Sequence, residues 1–578
     1  MAKMTKAQAV ATDKRRLIFV CAMLLLGVGV VLGKLLHIQL VQRDFLLDQG
    51  DRRTIRAQAL PAMRGVVYDR NGVPLAISTP MQSLWINPSL WDLDTDDPDL
   101  KAELEQQMHA LAQDLNMDLA LLESRLRTNR QFVWLRRMMV PEEANALLAR
   151  NYLGLSSRTE YRRYYPAGEV TAHVLGFTNI DGQGLEGLER AFDSVLAPRH
   201  GSQLQLRDVR GRVVRDLEEV RPPVDGRDLH LTLDLRLQYL AHRELKQAMQ
   251  ATGAKAASVV VMDPRTGEVL AMANQPSFNP NNRAQLSPEA VRNRAMVDTF
   301  EPGSVIKAFT LAEAVDSGKF SPDQTIDTSP GRMQISSHIV SDFRDYGVLD
   351  LSGIMAKSSN VGTSKVAIEL GYEAMWNTLW RTGFGQPSGI GFPGEMPGSL
   401  PNHSSWNDVR VATLSYGYGL QVSTLQLARA YSAIANDGLL PPVGLIQGLP
   451  LEPQRQVYQP QTAAAVRDML AEAIGPNGTA RRADLPLYSA GGKTGTVHKV
   501  GRSGYIEDSY RSLFVGMAPI DNPALVVAVM IDEPGGNQYY GGEVAAPIFA
   551  DFMNRALPAV GVAPDRHQNN VAGVIGGQ

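Results

Sequence analysis

A long uncharged segment near the N-terminus restricts this chain more than any other feature of its sequence. No charge lies between Leu17 and Gly33, and after Lys34 the apolar pattern resumes as far as Val41. A helix over residues 17–41 is about 37 Å long at ~1.5 Å per residue, which crosses a bilayer with some tilt while Lys34 extends to the interface. We therefore predict one membrane-spanning helix at 17–41.

The charges before this segment predict its orientation. Residues 1–16 contain one acid, Asp13, and five bases, namely Lys3, Lys6, Lys14, Arg15 and Arg16. The positive-inside rule keeps such a tail in the cytoplasm and places everything after residue 41 outside. A cleaved signal peptide is the alternative, but no A-x-A-like cleavage site follows the apolar run. We expect a retained anchor.

Composition excludes several classes of protein. The 578 residues are 44% hydrophobic and 20% charged, as in chains that bury large cores, and at roughly 100–200 residues per domain they predict three or four folded units. The net charge of −3 is unlike that of a duplex-coating protein, so we expect no nucleic-acid partner. Cys21 is the only cysteine, which excludes an intrachain disulfide and any multi-cysteine metal site.

The exported part divides at the Pro- and Gly-containing segment 220–226. In residues 42–225, helix-like and strand-like segments are interspersed, which predicts an α+β unit. Its helices are expected near 99–115, 118–127, 141–150 and 185–196, and its strands near 131–135 and 157–165. Residues 226–560 predict a second unit with an antiparallel sheet, its strands near 228–233, 256–262, 268–273, 510–517 and 524–531 and its helices near 234–251, 423–435 and 542–557. Residues 561–578 are expected to be a disordered tail.

Within the second unit, Ser304-Val-Ile-Lys307 places a serine and a lysine three residues apart, directly after Pro302-Gly303. On a helix the two side chains share one face within hydrogen-bond reach. A serine becomes a nucleophile when a base takes its proton, and a lysine serves as that base only when it is neutral. The alternative is a serine cap beside a surface lysine, because this spacing also arises by chance.

Two further motifs follow in the same unit. Ser358-Ser-Asn360 offers a hydroxyl to relay a proton and an amide to hold a substrate, or else merely a helix cap or turn. Lys493-Thr-Gly-Thr496 reads as a strand whose glycine lets another backbone approach closely. The edge of such a strand can add a peptide substrate as an extra strand, with Lys493 and Thr494 binding an anionic group.

Other catalytic motifs fail. Gly492-Lys493-Thr494 resembles the end of a phosphate-binding loop, but Leu487 stands where its first glycine belongs. The chain contains neither H-E-x-x-H nor G-x-S-x-G. We therefore predict no metal and no cofactor.

Taken together and in order, the three motifs resemble the set shared by penicillin-binding proteins and serine β-lactamases. Flanking segments sharpen the resemblance to class B penicillin-binding proteins, and these are Arg64–Gly72, Tyr165–Gly168, Gly182–Glu189, Leu231–Asp234, Gly383–Gly385, Pro393–Glu395 and Tyr416–Gln421. The resemblance implies an α+β multidomain protein. Its parts are a single N-terminal transmembrane helix, an elongated α+β pedestal of the dimerisation type at 42–225, and a β-lactamase-like transpeptidase domain at 226–560. Lys357–Gly362 looks like the division-specific branch.

The family implies a D,D-transpeptidase that cross-links peptidoglycan stem peptides ending in D-Ala-D-Ala. Its catalytic residues here are Ser304 as nucleophile and Lys307 as base, with Ser358, Asn360 and Lys493. Thr494, Gly495 and Thr496 are expected to bind substrate, and Tyr505, Tyr539 and Tyr540 to form one aromatic wall. β-Lactam antibiotics are expected to acylate Ser304.

The same resemblance implies location and partners. It places the chain in the bacterial inner membrane with its catalytic domain in the periplasm at the septum, beside a polytopic lipid II polymerase and other division proteins. An elongation-type class B enzyme and a non-catalytic division scaffold remain alternatives. A soluble β-lactamase and an antibiotic sensor fit less well, because this chain has one span and a long pedestal.

Overall fold

A computed structural model describes residues 6–46, 48, 55–207, 213–284, 286–501 and 504–566. The start of the expected cytoplasmic tail and residues 567–578 of the expected C-terminal tail lie outside these ranges. Helix α1 runs over Lys6–Leu40. Its part Arg16–Leu40 has a mean hydropathy of 2.5 and, by length and composition, could cross a membrane. This agrees with the helix predicted at 17–41.

The strands, in chain order, are β1 (Ile55–Leu60), β2 (Val67–Tyr68), β3 (Pro74–Ile86), β4 (Val133–Met139), β5 (Leu155–Tyr164), β6 (Gly201–Arg207), β7 (Val213–Arg221), β8 (Leu229–His230), β9 (Ala256–Met262), β10 (Val269–Gln275), β11 (Ile326–Asp327), β12 (Arg332–Ile335), β13 (His338–Ser341), β14 (Val348–Leu349), β15 (Leu439–Leu440), β16 (Arg455–Gln456), β17 (Gly491–Gly501), β18 (Gly504–Ala518) and β19 (Leu525–Asp532).

The helices that follow α1 are α2 (Pro98–Asp114), α3 (Leu119–Leu126), α4 (Pro141–Leu148), α5 (Ala172–Leu175), α6 (Gly187–Ala191), α7 (Asp193–Leu196), α8 (Leu235–Thr252), α9 (Pro288–Val291), α10 (Arg294–Val297), α11 (Lys307–Asp316), α12 (Leu351–Lys357), α13 (Asn360–Leu370), α14 (Tyr372–Arg381), α15 (Asp408–Ser415), α16 (Thr424–Ala435), α17 (Pro460–Ile474) and α18 (Gly541–Ala559).

The described residues form two compact units. The first contains residues up to Ala62, Pro80–Glu160 and Arg199–Asp225, and the second contains Met63–Thr79, Tyr161–Pro198 and everything from Gly226 onward. The compact units therefore do not follow the linear boundary expected at 225/226.

The first unit has a three-stranded antiparallel sheet in the order β1-β6-β7 and a separate helical part. Helix α2 lies close to the predicted 99–115. Its start is fixed by Asp97, which accepts hydrogen bonds from the N–H groups of Asp99 and Leu100, and by Pro98, which follows it. Leu104 and Leu111 of this helix pack with buried residues of α3, α4, β4 and the end of β3. This core lies within residues 80–160.

A buried ion cluster joins, to one another, the segments from the first half of the chain that belong to the second unit. Glu189 accepts from Arg64 Nε and from Arg163 Nε, both at 2.6 Å, and all three side chains are buried. Asp193 also accepts from Arg64, at 2.7 Å. Buried charges of this kind are costly unless paired, so the three segments are held together. The single helix expected at 185–196 is wrong, since it breaks into α6 and α7 at Phe192 within this cluster.

The second unit is built on a five-stranded antiparallel sheet in the order β10-β9-β19-β18-β17. Every residue of β9 is buried, because helices cover both faces. Val259 and Val261 pack with α8 and α18, whereas Val260 and Met262 face the core that includes α16. The predicted strands and the long helices of this unit are confirmed, apart from 228–233, of which β8 forms only a part. Of the expected tail, 561–566 is ordered, since Asp565 accepts from Ser489 N at 2.7 Å.

Candidate active site

The first motif lies at a tight turn. Gly303 has a φ of +59°, and its N–H donates to Gly417 O at 3.1 Å. A 3₁₀ helix over Gly303–Ile306 follows, and α11 begins at Lys307. The expected α-helical turn between Ser304 and Lys307 is therefore a 3₁₀ turn, in which the Lys307 N–H donates to Ser304 O. Ser304 is half-buried and Lys307 is buried.

The second motif forms the turn between two helices. Helix α12 ends at Lys357, and Ser358 adopts left-handed angles of φ +59° and ψ 43°. Ser359 then caps α13, accepting from Gly362 N at 2.9 Å. The helix cap is thus Ser359, while the conformation of Ser358 carries roughly 1–3 kcal/mol of backbone strain of the sort found at functional sites.

The amine of Lys307 joins these two motifs. Its Nζ donates to Ser358 O at 2.6 Å and to Asn360 Oδ1 at 2.7 Å, and it forms a third hydrogen bond with the hydroxyl Ser358 Oγ at 3.1 Å. Within the described part of the chain, Ser304 Oγ is not among its hydrogen-bond partners. Catalytic hydrogen bonds of this kind often form only once substrate is in place. The base predicted for Ser304 is held by the second motif.

The third motif lies on β17, which ends the sheet order among the described strands. Gly495 pairs with Leu513, and a Cβ at Gly495 would come within 2.9 Å of Pro302 O. Pro302 lies two residues before Ser304. The structure confirms that this glycine allows a close backbone approach, and the approaching segment carries the nucleophile motif.

Side chains of the third motif have well-defined neighbours. Lys493 is fully buried, and its Nζ lies 3.4 Å from Thr494 O. Thr494 Oγ1 donates to Thr479 Oγ1 at 3.2 Å, and Thr496 Oγ1 accepts from Gly541 N at 2.9 Å. Thr479 was not found by sequence reasoning, because it belongs to none of the motifs.

The two lysines share one buried electrostatic environment. Burial, and after it the nearby charge of Lys493, holds the pKa of Lys307 well below its ordinary value, while the Asp342 carboxylate acts in the opposite direction. Burial lowers the pKa of Lys493 to about 7. Burial thus favours the neutral amine at both positions, and for Lys493 the neutral form is accessible near neutral pH.

The first of the predicted wall tyrosines, Tyr505, belongs to a cluster beside the nucleophile motif. Its hydroxyl donates to Glu301 Oε2 at 3.0 Å, and its ring centroid lies 5.9 Å from that of Tyr418. Glu301 Oε1 accepts from Gly419 N at 2.7 Å. Glu301 thus links three segments, a role that sequence reasoning missed although the residue stands next to Pro302.

Tyr539 and Tyr540 belong to a different cluster. The Tyr539 ring stacks on Tyr510 with centroids 4.0 Å apart, and lies 4.6 Å from the ring of Tyr540. Among the described aromatic contacts, none joins Tyr505 to either of these residues. The single wall expected from sequence is two groups of rings, since their separation along the chain gave no information on their packing.

Asp342 is the other residue that sequence reasoning missed. Its carboxylate accepts from Ser359 Oγ, Asn360 N and Val361 N, directly beside the second motif. It follows β13 in a segment without any motif. Only the fold brings it to this place.

Two protein families match most of the chain, and the site lies within the longer match. Residues 257–554 match the family described as "Penicillin binding protein transpeptidase domain", and residues 59–231 match "Penicillin-binding Protein dimerisation domain". The chain belongs to the class B penicillin-binding proteins. This class B enzyme is a serine-type peptidoglycan D,D-transpeptidase, which confirms the prediction made from its three sequence motifs.

Relatives match this class B protein over nearly its whole length. The probable peptidoglycan D,D-transpeptidase PbpC of Pseudomonas aeruginosa is 42% identical over 96% of this chain and 97% of its own. The peptidoglycan D,D-transpeptidase FtsI of Escherichia coli K12 is 37% identical over 95% and 92%. A solved structure of Mycobacterium penicillin-binding protein 3, complexed with aztreonam, has a TM-score of 0.68 at 29% identity and covers 88% of this chain and 98% of that one.

The relatives also bear on the N-terminal helix. A helix that is long and apolar enough to cross a bilayer, together with relatives named FtsI, indicates a single-pass inner-membrane protein. The predicted membrane class is thus confirmed at this level.

Proposed function

We propose that this transpeptidase cross-links stem peptides of the septal wall through an acyl-enzyme on Ser304. The observation that carries the site assignment is the buried amine of Lys307, which lies one 3₁₀ turn from Ser304 and has a pKa well below its ordinary value. A neutral amine at that place is the base that a serine nucleophile requires.

The acylation step follows from this assignment. Ser304 Oγ attacks the carbonyl carbon of the penultimate D-Ala, and its proton passes to Lys307. The C–N bond to the terminal D-Ala then breaks, and the departing amine takes a proton relayed through Ser358 and Lys493. In the second step an amine of another stem peptide attacks the ester, loses a proton along the same route, and restores Ser304 Oγ–H.

The hydrogen bonds of Lys307 suit its neutral form. A neutral amine has two N–H bonds and one lone pair. Ser358 O and Asn360 Oδ1 can only accept, and at 2.6 and 2.7 Å they occupy the two N–H bonds. The lone pair is then left for a hydroxyl proton, either that of Ser358 at 3.1 Å or that of Ser304 in the reaction.

Substrate binding uses the edge of β17. An outermost strand has backbone N–H and C=O groups to which an extended peptide can add. The N–H groups of Ser304 and Thr496 form the oxyanion hole, and Thr494 binds the terminal carboxylate. Gly495 leaves room for the Pro302 carbonyl, so that the nucleophile turn lies against this strand. The two tyrosine clusters contact the substrate from different sides. One cluster contributes Tyr505, and the other contributes Tyr539 and Tyr540.

Labelling with a fluorescent penicillin tests the nucleophile. Aztreonam is bound by the relative of known structure, and we expect β-lactams to acylate Ser304 here. The wild-type protein should carry label on one serine, and Ser304→Ala should carry none. Ser317→Ala is a matched control, because Ser317 ends α11 and its hydroxyl only donates to Ala314 O at 3.2 Å. Normal labelling of Ser304→Ala would refute the assignment.

The septal role is supported by the Ser-Ser-Asn form of the second motif and by the similarity to FtsI. We expect the enzyme at the division site, with its catalytic domain in the periplasm, contacting a polytopic lipid II polymerase and other division proteins through the span and the pedestal near Arg64–Arg70. Depletion should give filamentous cells that grow without dividing. Round cells would assign the enzyme to elongation instead.

Complementation separates the enzyme from a scaffold. Cells depleted of the protein and supplied with Ser304→Ala should stay filamentous, provided that the variant accumulates in the membrane to the wild-type level. Restored division by this variant would show that the division role does not need acylation. A reporter active only in the periplasm, fused after residue 578, checks the orientation, and activity of a cytoplasmic reporter alone would reverse it.

A further inference from the structure

Asp342 lies at the N-terminus of α13 and binds three successive residues. Its Oδ2 accepts from Ser359 Oγ at 2.5 Å, and its Oδ1 accepts from Asn360 N at 2.5 Å and Val361 N at 3.0 Å. Hydrogen bonds from backbone N–H groups to a carboxylate are short and strong, and the helix dipole favours a negative charge here. The carboxylate therefore fixes the backbone just after Ser358.

The segment that carries Asp342 is itself anchored. The Asp342 N–H donates to Gly331 O at 2.9 Å, which ties it to the start of the hairpin formed by β12 and β13. Ser341 O, one residue earlier, accepts from Asn360 Nδ2 at 3.0 Å. The amide of Asn360 is thereby oriented, so that its Oδ1 is the atom 2.7 Å from Lys307 Nζ.

We propose that Asp342 is a positioning residue of the acylation site, whose carboxylate fixes Ser359 and Asn360 and thereby sets the place and charge state of the Lys307 amine. This inference rests on the proposed roles of Ser304 and Lys307. Asp342 does not touch the reacting atoms. It acts through Asn360 and through its own negative charge.

The negative charge of Asp342 changes the pKa of Lys307 in a known direction. The Asp342 charge raises the pKa of Lys307, whereas burial and Lys493 lower it. Loss of the charge leaves the amine neutral down to a lower pH. Other charged groups on elements around the site have their own partners. Lys357 donates to Asn477 O and Lys365 to Asp327 O, and Asp350 accepts from Gly353 N. Arg467 pairs with Asp437, Arg381 pairs with Glu313 and Asp316, and Arg344 lies over the Tyr346 ring.

The test is the pH dependence of acylation by a fluorescent penicillin in the full-length protein. Asp342→Asn keeps an acceptor oxygen for the backbone N–H groups but removes the charge. We expect the acidic limb of the acylation-rate profile to move to lower pH by roughly one unit. Asp342→Ala removes the acceptor as well, and we expect its highest rate to fall about 10–100-fold, as when a catalytic group is displaced.

Asp345→Asn is the matched control. Asp345 is exposed, lies in the same segment, and its carboxylate accepts from Gly347 N at 2.9 Å rather than from the second motif. The substitution removes the same charge, so its profile should superimpose on that of the wild type. Thermal unfolding of each variant shows whether the fold is intact.

The outcomes are distinct. If wild-type protein is not acylated at Ser304, the proposed site itself is wrong. If wild-type protein is acylated and the Asp342→Asn profile coincides with it, only the positioning role is wrong. A lower rate without a pH shift, accompanied by a lower unfolding temperature, assigns Asp342 to fold stability and also overturns the inference. Should Asp342→Ala not fold, Asp342→Asn decides the question alone.

Discussion

At the scale of single residues, Lys307 and Lys493 are amines buried without a carboxylate in direct contact, as far as the described residues extend. Burial makes their charged forms costly, and the proximity of one charge makes the other costlier. Protonation of one amine therefore disfavours protonation of the other. In the proposed mechanism, this pair carries the proton from Ser304 to the leaving amine.

An arginine should replace Lys493 in part but should not replace Lys307. Lys307→Arg should slow acylation about 10²–10⁴-fold, the usual contribution of a general base, because a guanidinium does not deprotonate at usable pH. Lys493→Arg should retain part of the rate, because much of its role is electrostatic. Acylation rates with a fluorescent penicillin, measured on folded variants, check this. Near wild-type acylation by Lys307→Arg would remove Lys307 as the base.

Burial of Lys493 also predicts a stability effect. Its pKa falls from 10.5 to about 7 on folding, so the folded state binds the proton less tightly. The resulting penalty is full below pH 7 and disappears as pH rises toward the unfolded pKa. Lys493→Met should therefore unfold at a higher temperature than wild type at pH 7, by about 1 °C for each kcal/mol gained in a unit of this size.

The pH dependence distinguishes this effect from simple repacking. The advantage of Lys493→Met should shrink between pH 7 and pH 10, as differential scanning calorimetry would show. A constant difference across that range, or a destabilised variant at pH 7, would contradict burial of a charged amine as the cause. Acylation by the same variant is expected to be strongly reduced.

At the scale of elements, the nucleophile turn, β17 and the loop at Gly417 cross in close contact. A Cβ at Gly303 would come within 2.4 Å of Val497 Cγ1, and one at Gly417 within 2.0 Å of Gly303 O. The elements approach this closely because glycine stands at the crossings. The position of Ser304 against the substrate strand depends on them.

Gly303→Ala tests the crossing. It should destabilise the protein by about 1–3 kcal/mol through strain and collision and should reduce the acylation rate. Gly253→Ala is the control, because Gly253 has a similar φ of +64° but no atom within 4 Å of an added Cβ. Its cost should stay near the ~1 kcal/mol of the backbone strain alone, with acylation unchanged. Equal effects of the two substitutions, measured by urea unfolding, would contradict the collision.

Elements with strong local signals could be predicted from the sequence. The hairpin of β9 and β10 follows from an apolar run and the turn residues Asp263–Gly267, and α2 from its cap at Asp97. The break at Phe192 could not, because it lies between Glu189 and Asp193, whose shared partner Arg64 is far away in the sequence. Sequence reasoning also missed Asp342 and the separation of the tyrosine clusters, because only tertiary packing brings these residues to their places.

At the scale of the whole molecule, the membrane helix and the catalytic unit have different tasks. None of the apolar window within Arg16–Leu40 is buried against protein. The helix therefore contributes location rather than stability to the rest of the chain. A chain that begins at Asp44 should be acylated by a fluorescent penicillin at the wild-type rate, yet fail to support growth.

Fractionation and kinetics check that separation. The shortened protein should remain in the soluble fraction after lysis, and its acylation rate should match that of detergent-purified full-length protein within about twofold, a change of about 0.4 kcal/mol in the barrier. A large loss of rate would show that the helix supports the catalytic unit.

The glycine crossings also restrict how such an enzyme can change under antibiotic selection. Gly303, Gly417 and Gly495 each meet atoms of a neighbouring segment where a side chain would stand, so no larger residue fits at any of them without displacing the surroundings of the nucleophile. If Ser304 is the nucleophile, as proposed, the natural substrate and a β-lactam both depend on these crossings. We therefore expect mutations that lower β-lactam sensitivity to change the surrounding side chains instead. The two ligands differ in shape there, so a substitution can weaken binding of the drug while the substrate still binds.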